Sequence, residues 1–170
     1  MAFRLMLAAL ITICATLAGR TIAAGRIRHA DDIRKLMDDL QMLRVFTLDR
    51  LLPMGSALGE MKFEALRLTG EEMRKHSRES VRAAWDQVCL NEKREGGCME
   101  AFSDEETAAV SRLFDALGTI GKREHEAVYA GAIAELGKQE EAVRALGKEK
   151  LRLYTSLGAL SGLAVGVLIV

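Results

Sequence analysis

The chain has 170 residues, with 24 basic and 24 acidic side chains, three histidines and a formal net charge of zero. All 24 acidic residues and 22 of the basic ones lie within residues 26–152, whose net charge is therefore −2. This balance gives no reason to expect nucleic-acid binding, and the segment is long enough for one hydrophobic core. Both ends of the chain are uncharged and apolar, a pattern that is most simply a soluble domain held at a membrane by two helices.

The N-terminal stretch, residues 1–25, is predicted to be a transmembrane helix. Its uncharged part, residues 5–18, is shorter than the roughly 20 residues of a full span. Arg4 and Arg20 can direct their charged groups outwards, however, and so let residues 2–24 cross. The alternative is a cleaved signal peptide, with Arg4 in its basic region and a small-residue cleavage site near Ala23 or Ala24.

The middle segment, residues 26–152, is predicted to be an all-α domain, an antiparallel helical bundle. Its abundant Ala, Leu, Glu, Lys and Arg favour helices. Apolar residues recur at steps of three and four in five stretches, which gives each helix one apolar face for core packing. These stripes are Ile33, Leu36, Leu40, Leu43 and Thr47; Met54, Leu58, Met61, Ala65 and Leu68; Met73, Val81, Ala84 and Val88, with Trp85 beside them; Val110, Leu113, Phe114 and Leu117; and Tyr129, Ile133, Leu136, Val143 and Leu146.

Turn residues predict the helix boundaries within this segment. Pro53 suits the first turn of the second helix, and Gly70 is expected to separate the second helix from the third. Ser103 and Glu106 have the spacing of a capping box at the start of the helix that carries the fourth apolar stripe. The remaining turn signals are Gly96–Gly97, Gly118 and Gly121. Beyond them, isolated glycines weaken a helix without ending it, so the last helix is expected to continue into the C-terminal stretch.

The C-terminal stretch, residues 153–170, carries no charge and just meets the length of a transmembrane helix. Arg152 and Tyr154 stand at its start, as interfacial anchors do. Gly158, Gly162 and Gly166 form a ladder at four-residue spacing, which in lipid lets another helix approach closely. The alternative is an anchor that glycine weakens and that packs against no partner helix.

Basic residues beside the two predicted spans indicate the orientation of the chain. They place residues 26–152 in the cytoplasm and both termini outside, by the positive-inside rule. The charged stretches beside the predicted spans, residues 26–35 and 144–152, also predict docking faces for a cytoplasmic partner, with Arg28, Arg34 and Lys35 in one group and Lys148 and Lys150 in the other. The alternative role for both groups is contact with lipid headgroups.

The sequence predicts no catalytic, cofactor-binding or metal site. His29, His76 and His125 have no second histidine or cysteine at metal-ligand spacing. Neither a P-loop pattern nor a G-x-S-x-G pattern occurs. Cys89 and Cys98 stand nine residues apart across a Gly-Gly turn, a span that a disulfide can close, but a reducing cytoplasm keeps thiols free.

Several short stretches are together typical of one protein family. They are residues 154–163, with the pattern aromatic-x-Ser-Leu-Gly-x-Leu-x-Gly-Leu; the pair Leu117-Gly118; Leu36, Leu40 and Leu43 followed by Pro53; and Ala84-Trp85. In these features, and over nearly its whole length, the chain resembles the stage III sporulation protein AB family of endospore-forming bacteria. It departs from the family pattern at three places. The family often has acidic residues after the first leucines, where this chain has Arg44 and Phe46, and it often has a threonine before the proline, where this chain has Leu52. After the Leu-Gly turn the family often has an Asp and a Gln, whereas this chain has Gly121 and His125 or Glu126 in that region.

The resemblance implies a helical cytoplasmic domain similar to that of the inner-membrane platform protein of type II secretion and type IV pilus machines. It implies membership of the channel complex that joins mother cell and forespore, in the mother-cell membrane around the forespore. The implied partners are a cytoplasmic secretion-type ATPase, stage III sporulation protein AA, and other membrane proteins of the stage III sporulation A operon. No catalytic residue and no cofactor is implied.

Three hypotheses for the function follow. The first is a non-enzymatic platform subunit whose helical bundle docks an ATPase at the inner face of the membrane. The second is a secreted or surface-anchored helical bundle with a cleaved signal peptide and a Cys89–Cys98 disulfide. The third is a membrane enzyme that uses His125 with Glu124 or Glu126. The family resemblance favours the platform subunit.

Overall fold

The computed structural model describes residues 2–76, 80–119 and 124–169, and the regular structure within these ranges is entirely helical. The helices are α1 (Ala2–Arg44), α2 (Met54–Gly59), α3 (Glu64–Lys75), α4 (Val81–Glu95), α5 (Asp104–Thr119) and α6 (His125–Ile169). A π-helical turn, Val45–Asp49, follows α1 directly. The predicted all-α class is confirmed.

The chain divides into two compact units. The terminal unit comprises Met1–Asp31 and Glu141–Val170, and the core unit comprises Asp32–Glu140. The core unit contains α2 to α5 together with the adjoining parts of α1 and α6, and these helices pack as a bundle. The domain boundaries predicted after residues 25 and 152 stay predictions.

Within the described ranges, no helix has a stretch both long enough and apolar enough to cross a bilayer. The two terminal transmembrane helices predicted over residues 1–25 and 153–170 are thus not supported by the structure.

The apolar stripes predicted for α1, α4 and α5 lie in the core unit, although Met73 of the third stripe belongs to α3. Of the stripe predicted for α6, Tyr129, Ile133 and Leu136 lie in the core unit, whereas Val143 and Leu146 belong to the terminal unit and Leu146 is 45% exposed. Ile33, Leu36, Leu40 and Leu43 of α1 are completely buried, as their three- and four-residue spacing predicts. Other large side chains of the core unit are also completely buried, among them Trp85, Tyr129 and Leu136. Burying a side chain of this size stabilises the fold by roughly 1.5–3 kcal/mol, so these residues dominate the stability of the unit.

The second predicted stripe belongs to two helices, not one. Helix α2 ends at Gly59 and α3 begins at Glu64, with Phe63 in an extended conformation between them (φ −69°, ψ 120°). The Phe63 N–H donates a hydrogen bond to Asp39 Oδ2 of α1 at 2.5 Å. A carboxylate from another helix therefore caps α3, where the local sequence supplies no capping side chain. The stripe continues across the break because Met61 and Ala65 both face the core.

Gly70 was predicted to separate two helices, and this prediction is wrong. Gly70 lies inside α3, where a Cβ atom would stand 2.8 Å from the backbone nitrogen of Gly59 and 3.0 Å from the carbonyl oxygen of Gly55. The glycine therefore permits a close approach of α3 to α2. The helix continues to Lys75, and His76 is its C-cap residue.

The predicted boundaries around α4 and α5 are confirmed. Helix α4 ends at Glu95, and its C-cap residue Gly96 adopts the left-handed conformation (φ +71°) that glycine tolerates best. The capping box forms at the start of α5: Ser103 N–H donates to Glu106 Oε2 at 2.7 Å, and Glu106 N–H donates to Ser103 Oγ at 3.2 Å. Each side chain thus satisfies a backbone donor of the other residue.

A turn is predicted at Gly118 and Gly121. Gly118 lies inside α5, which continues to Thr119, and Gly121 falls outside the described residues. From His125 the last helix runs to Ile169 and passes through Gly131, Gly137 and Gly147. Isolated glycines weaken a helix without ending it, as predicted.

Candidate docking surfaces

The candidate functional residues of this chain are charged side chains on surfaces and the lining of one cleft. No group of three or more His, Cys, Asp or Glu side chains in this part of the chain is arranged to hold a metal ion. His76 is exposed, with Nδ1 at 3.0 Å from Glu72 Oε1 of the preceding turn. His125 lines a surface cleft, described below.

The basic residues predicted to dock a partner fall into both units. In the core unit, Arg34 and Lys35 are exposed on α1, and Lys35 Nζ lies 2.7 Å from Asp32 Oδ1. Arg28, Lys148 and Lys150 belong to the terminal unit, where Arg28 and Lys148 are exposed and Lys150 is half-buried. We therefore treat the two groups as separate surfaces.

The predicted helix-packing ladder lies at the C-terminal end of α6. Gly158, Gly162 and Gly166 are all within this helix. Their surroundings lie outside what the structure describes, so the role of the ladder in helix packing stays a prediction.

A cleft of about 400 Å³ opens in the core unit where α1 ends and α6 begins, and we call it the end cleft. Its apolar lining residues are Leu48, Leu51, Leu52, Met54 and Leu117. Its polar lining residues are Arg44, Thr47, Asp49, His125 and Glu126. The lining of the cleft thus combines apolar side chains with charged groups, the mixture found in binding sites.

The π-helical turn after α1 shapes one wall of the end cleft. Its backbone is held by two hydrogen bonds, from Arg50 N–H to the Val45 carbonyl at 3.1 Å and from Leu52 N–H to the Phe46 carbonyl at 3.0 Å. The Thr47 hydroxyl lies 2.8 Å from the Leu43 carbonyl and 3.2 Å from the Tyr129 hydroxyl. Burial raises the pKa of Tyr129 above its ordinary value, so this phenol stays protonated at neutral pH. π-Helical turns are frequent at functional sites.

Leu51 is the strained residue of the cleft. Its φ of +54° lies in the left-handed region, which a branched side chain rarely adopts. The side chain is 66% exposed, and the neighbouring Leu52 is 37% exposed. The wall of the cleft therefore presents two adjacent leucines to solvent, one of them in an unfavourable backbone conformation.

Only some charged groups of the cleft form an ion pair with a described residue. Arg44 Nη1 lies 3.3 Å from Glu126 Oε1, which links the end of α1 to the start of α6. Arg50 is not a lining residue, and its guanidinium lies over the Phe46 ring, 4.9 Å from the ring centroid. Asp49 is exposed and forms no ion pair with any residue that the structure describes.

Sequence reasoning missed the end cleft. Two of its features have no local pattern, because a π-helical turn and a left-handed leucine depend on the packing around them. One signal was available: Leu51 and Leu52 fall outside every predicted apolar stripe. A second was the family resemblance, since the departures at Arg44, Leu52 and His125 or Glu126 all lie on this cleft.

Cys89 and Cys98 are both free thiols. Cys89 is only 6% exposed, and burial raises its pKa to about 12. Burial and then a hydrogen bond to Glu92 raise the pKa of Cys98 to about 12 as well. Glu92 Oε2 also accepts a hydrogen bond from the Cys98 N–H at 2.9 Å. Because the thiolate is the reactive form, both cysteines are poor nucleophiles at neutral pH.

The comparison with known proteins gives one match. The family model described as Stage III sporulation protein AB matches residues 4–170, which is nearly the whole chain. No curated protein and no solved structure matches the chain significantly.

Proposed function

The chain belongs to the stage III sporulation protein AB family, and from this premise we propose that it is a non-enzymatic platform subunit of the channel complex between mother cell and forespore. The observation that carries the proposal is the family match over residues 4–170. The helical core unit is consistent with the role, since it presents exposed charges and a cleft to a partner. A platform subunit holds other proteins in place and needs no reacting groups of its own.

The proposed partner of the core unit is a cytoplasmic secretion-type ATPase, stage III sporulation protein AA. The proposed neighbours are the other membrane proteins of the stage III sporulation A operon. Support comes from the exposed cations Arg34 and Lys35, because charged groups at the edge of an interface attract a partner and select its orientation. Arg28, Lys148 and Lys150 are proposed as a second docking surface in the terminal unit.

Reversing the charge of the core-unit surface should weaken capture of the ATPase. We expect an Arg34→Glu/Lys35→Glu variant to retain the purified ATPase several-fold less well in a pull-down, with a reduced dependence on salt. Its free energy of unfolding should change by less than about 0.5 kcal/mol, because both residues are exposed and an exposed ion pair contributes little.

The matched control for this pull-down is Lys62→Glu/Lys138→Glu, which reverses two other exposed lysines of the core unit. Equal loss in both variants would show a general effect of net charge. Undiminished capture by the Arg34→Glu/Lys35→Glu variant would exclude this surface as the docking face. Absence of any capture by the wild-type chain would contradict the platform role itself.

We further propose that the core unit faces the cytoplasm at the mother-cell membrane around the forespore. This rests on the uncharged ends and the flanking cations of the sequence. An exposed reporter is needed to test it, because Cys89 is buried and Cys98 is half-buried; Arg94 is exposed on the last turn of α4. In a Cys14→Ala background, an Arg94→Cys variant should react with a membrane-impermeant maleimide only after the membrane is opened.

The native thiols provide a pH control for the same experiment. At pH 8 a thiol with a pKa of about 12 is only about 0.01% thiolate, so Cys89 and Cys98 should label slowly in the folded chain. Their labelling rate should keep rising about tenfold per pH unit beyond pH 9, where the rate of the introduced cysteine levels off.

Rapid labelling of Arg94→Cys in intact cells would contradict the cytoplasmic placement.

A further inference from the structure

The end cleft holds two adjacent exposed leucines in a prearranged position. An isolated exposed leucine needs no explanation, but Leu51 and Leu52 stand together beside three further apolar lining residues. Leu51 also keeps a left-handed conformation, which is unfavourable for a residue with a branched side chain. A strained, solvent-facing side chain next to a cleft is typical of a site that binds something.

The surrounding hydrogen bonds restrict this wall of the cleft. Thr47 bonds to α1 through the Leu43 carbonyl and lies within hydrogen-bonding distance of Tyr129, which is completely buried in α6. The Leu52 N–H donates a hydrogen bond to the Phe46 carbonyl, which fixes the backbone directly after Leu51. Because these hydrogen bonds hold the turn that carries the two leucines, little binding free energy is lost in ordering this turn when a ligand binds.

The charges of the cleft favour a cationic ligand over an anionic one. Among the lining residues Arg44 is paired with Glu126 at 3.3 Å, whereas Arg50 does not line the cleft and its guanidinium lies over the Phe46 ring. Asp49 remains as an exposed carboxylate with no ion pair among the described residues. A ligand with a lysine or arginine next to its apolar groups would satisfy Asp49, whereas an acidic ligand would be repelled.

We propose that the end cleft binds a protein segment in which apolar side chains stand beside a lysine or arginine. The apolar groups pack on Leu51 and Leu52 and on the lining residues Met54 and Leu117, and the cation pairs with Asp49. This inference gives a partner chemistry to the docking role and so rests on the proposed function. It does not require that the partner be the ATPase.

The proposal is tested by selecting peptides from a random dodecapeptide library on the immobilised full-length chain. We expect the enriched peptides to share apolar residues next to Lys or Arg. The strongest peptide should bind a Leu51→Ala/Leu52→Ala variant about tenfold more weakly, as expected for loss of a central apolar anchor. Asp49→Asn should weaken binding several-fold and lessen its dependence on salt.

Two further variants separate contact from folding. Leu51→Gly removes the side chain but suits the left-handed conformation, so this variant should be at least as stable as the wild type and still lose binding. Leu90→Ala removes a leucine that is 48% exposed on α4 and should leave binding unchanged. Equal binding by wild type and the leucine variants, enrichment of acidic peptides, or no enrichment would each overturn the proposal.

The selection contains no ATPase, so its outcome is independent of the platform role. If no cleft-dependent peptide is found while ATPase capture persists, the cleft proposal alone fails. If cleft-dependent peptides bind while the ATPase is not captured, the proposed function fails and the cleft remains a binding site.

Discussion

Replacing Trp85 by alanine should lower the free energy of unfolding by about 3–5 kcal/mol, the largest effect expected for a single substitution in this chain. Trp85 is completely buried between α4 and its neighbours. Its ring meets that of Phe114 edge to face at a centroid distance of 5.8 Å and an angle of 68°. Its Nε1–H donates a hydrogen bond to the Thr107 carbonyl at 3.3 Å. The substitution leaves a cavity and removes this hydrogen bond, although the Thr107 carbonyl keeps the bond that it accepts from the Ser111 hydroxyl at 3.1 Å.

The measurement is urea unfolding of the full-length chain, followed by far-ultraviolet circular dichroism. Fluorescence is unsuitable because Trp85 is the sole tryptophan. Leu90→Ala on the same helix is the control and should change the free energy of unfolding by less than about 0.5 kcal/mol, since the side chain is half exposed. Because small domains are stable by only about 5–15 kcal/mol, a Trp85→Ala variant with an unchanged midpoint would refute the described core.

Replacing Gly70 by alanine should destabilise the chain by about 1–3 kcal/mol, although a glycine-to-alanine change within a helix is normally favourable. The added Cβ atom would lie 2.8 Å from the Gly59 nitrogen and 3.0 Å from the Gly55 carbonyl oxygen. Both are backbone atoms of α2, so they cannot rotate away as a side chain can. The two helices must separate to admit the methyl group.

Gly131→Ala is the matched control for this substitution. Gly131 also lies inside a helix, α6, but a Cβ atom there meets nothing within 4 Å. This variant should gain about 0.5–1 kcal/mol from the better helix propensity of alanine. The opposite signs of the two changes, measured by the same urea titration, isolate the α2–α3 contact; stabilisation by both substitutions would contradict it.

These two substitutions act on the core, whereas Leu51 lies at the surface of the end cleft. The core residues hold the ends of α1 and α6 in place, and the cleft forms where those ends meet. A Gly70→Ala variant is therefore expected to lose stability without losing a binding residue. A Leu51→Gly variant is expected to lose binding without losing stability, because strained residues at binding sites commonly serve function at the expense of stability.

The amino-acid sequence by itself determined the helical class and most of the helix ends. The stripe of Ile33, Leu36, Leu40 and Leu43 is buried as predicted, and the capping box of Ser103 and Glu106 forms as predicted. These features can be read from the sequence because they depend on residues only three or four positions apart. The docking cations and the glycine ladder were also read from the sequence, and they stay predictions.

Only the tertiary structure decided where α2 ends, why Gly70 is a glycine and where the end cleft lies. The cap on α3 joins Phe63 to Asp39, 24 positions away, and the contacts of Arg44 with Glu126 and of Thr47 with Tyr129 each span 82 positions. Local periodicity contains no information on such pairs. The left-handed Leu51 is likewise imposed by its surroundings against its own preference. The close approach of distant segments, and not the local pattern, therefore created the candidate binding site.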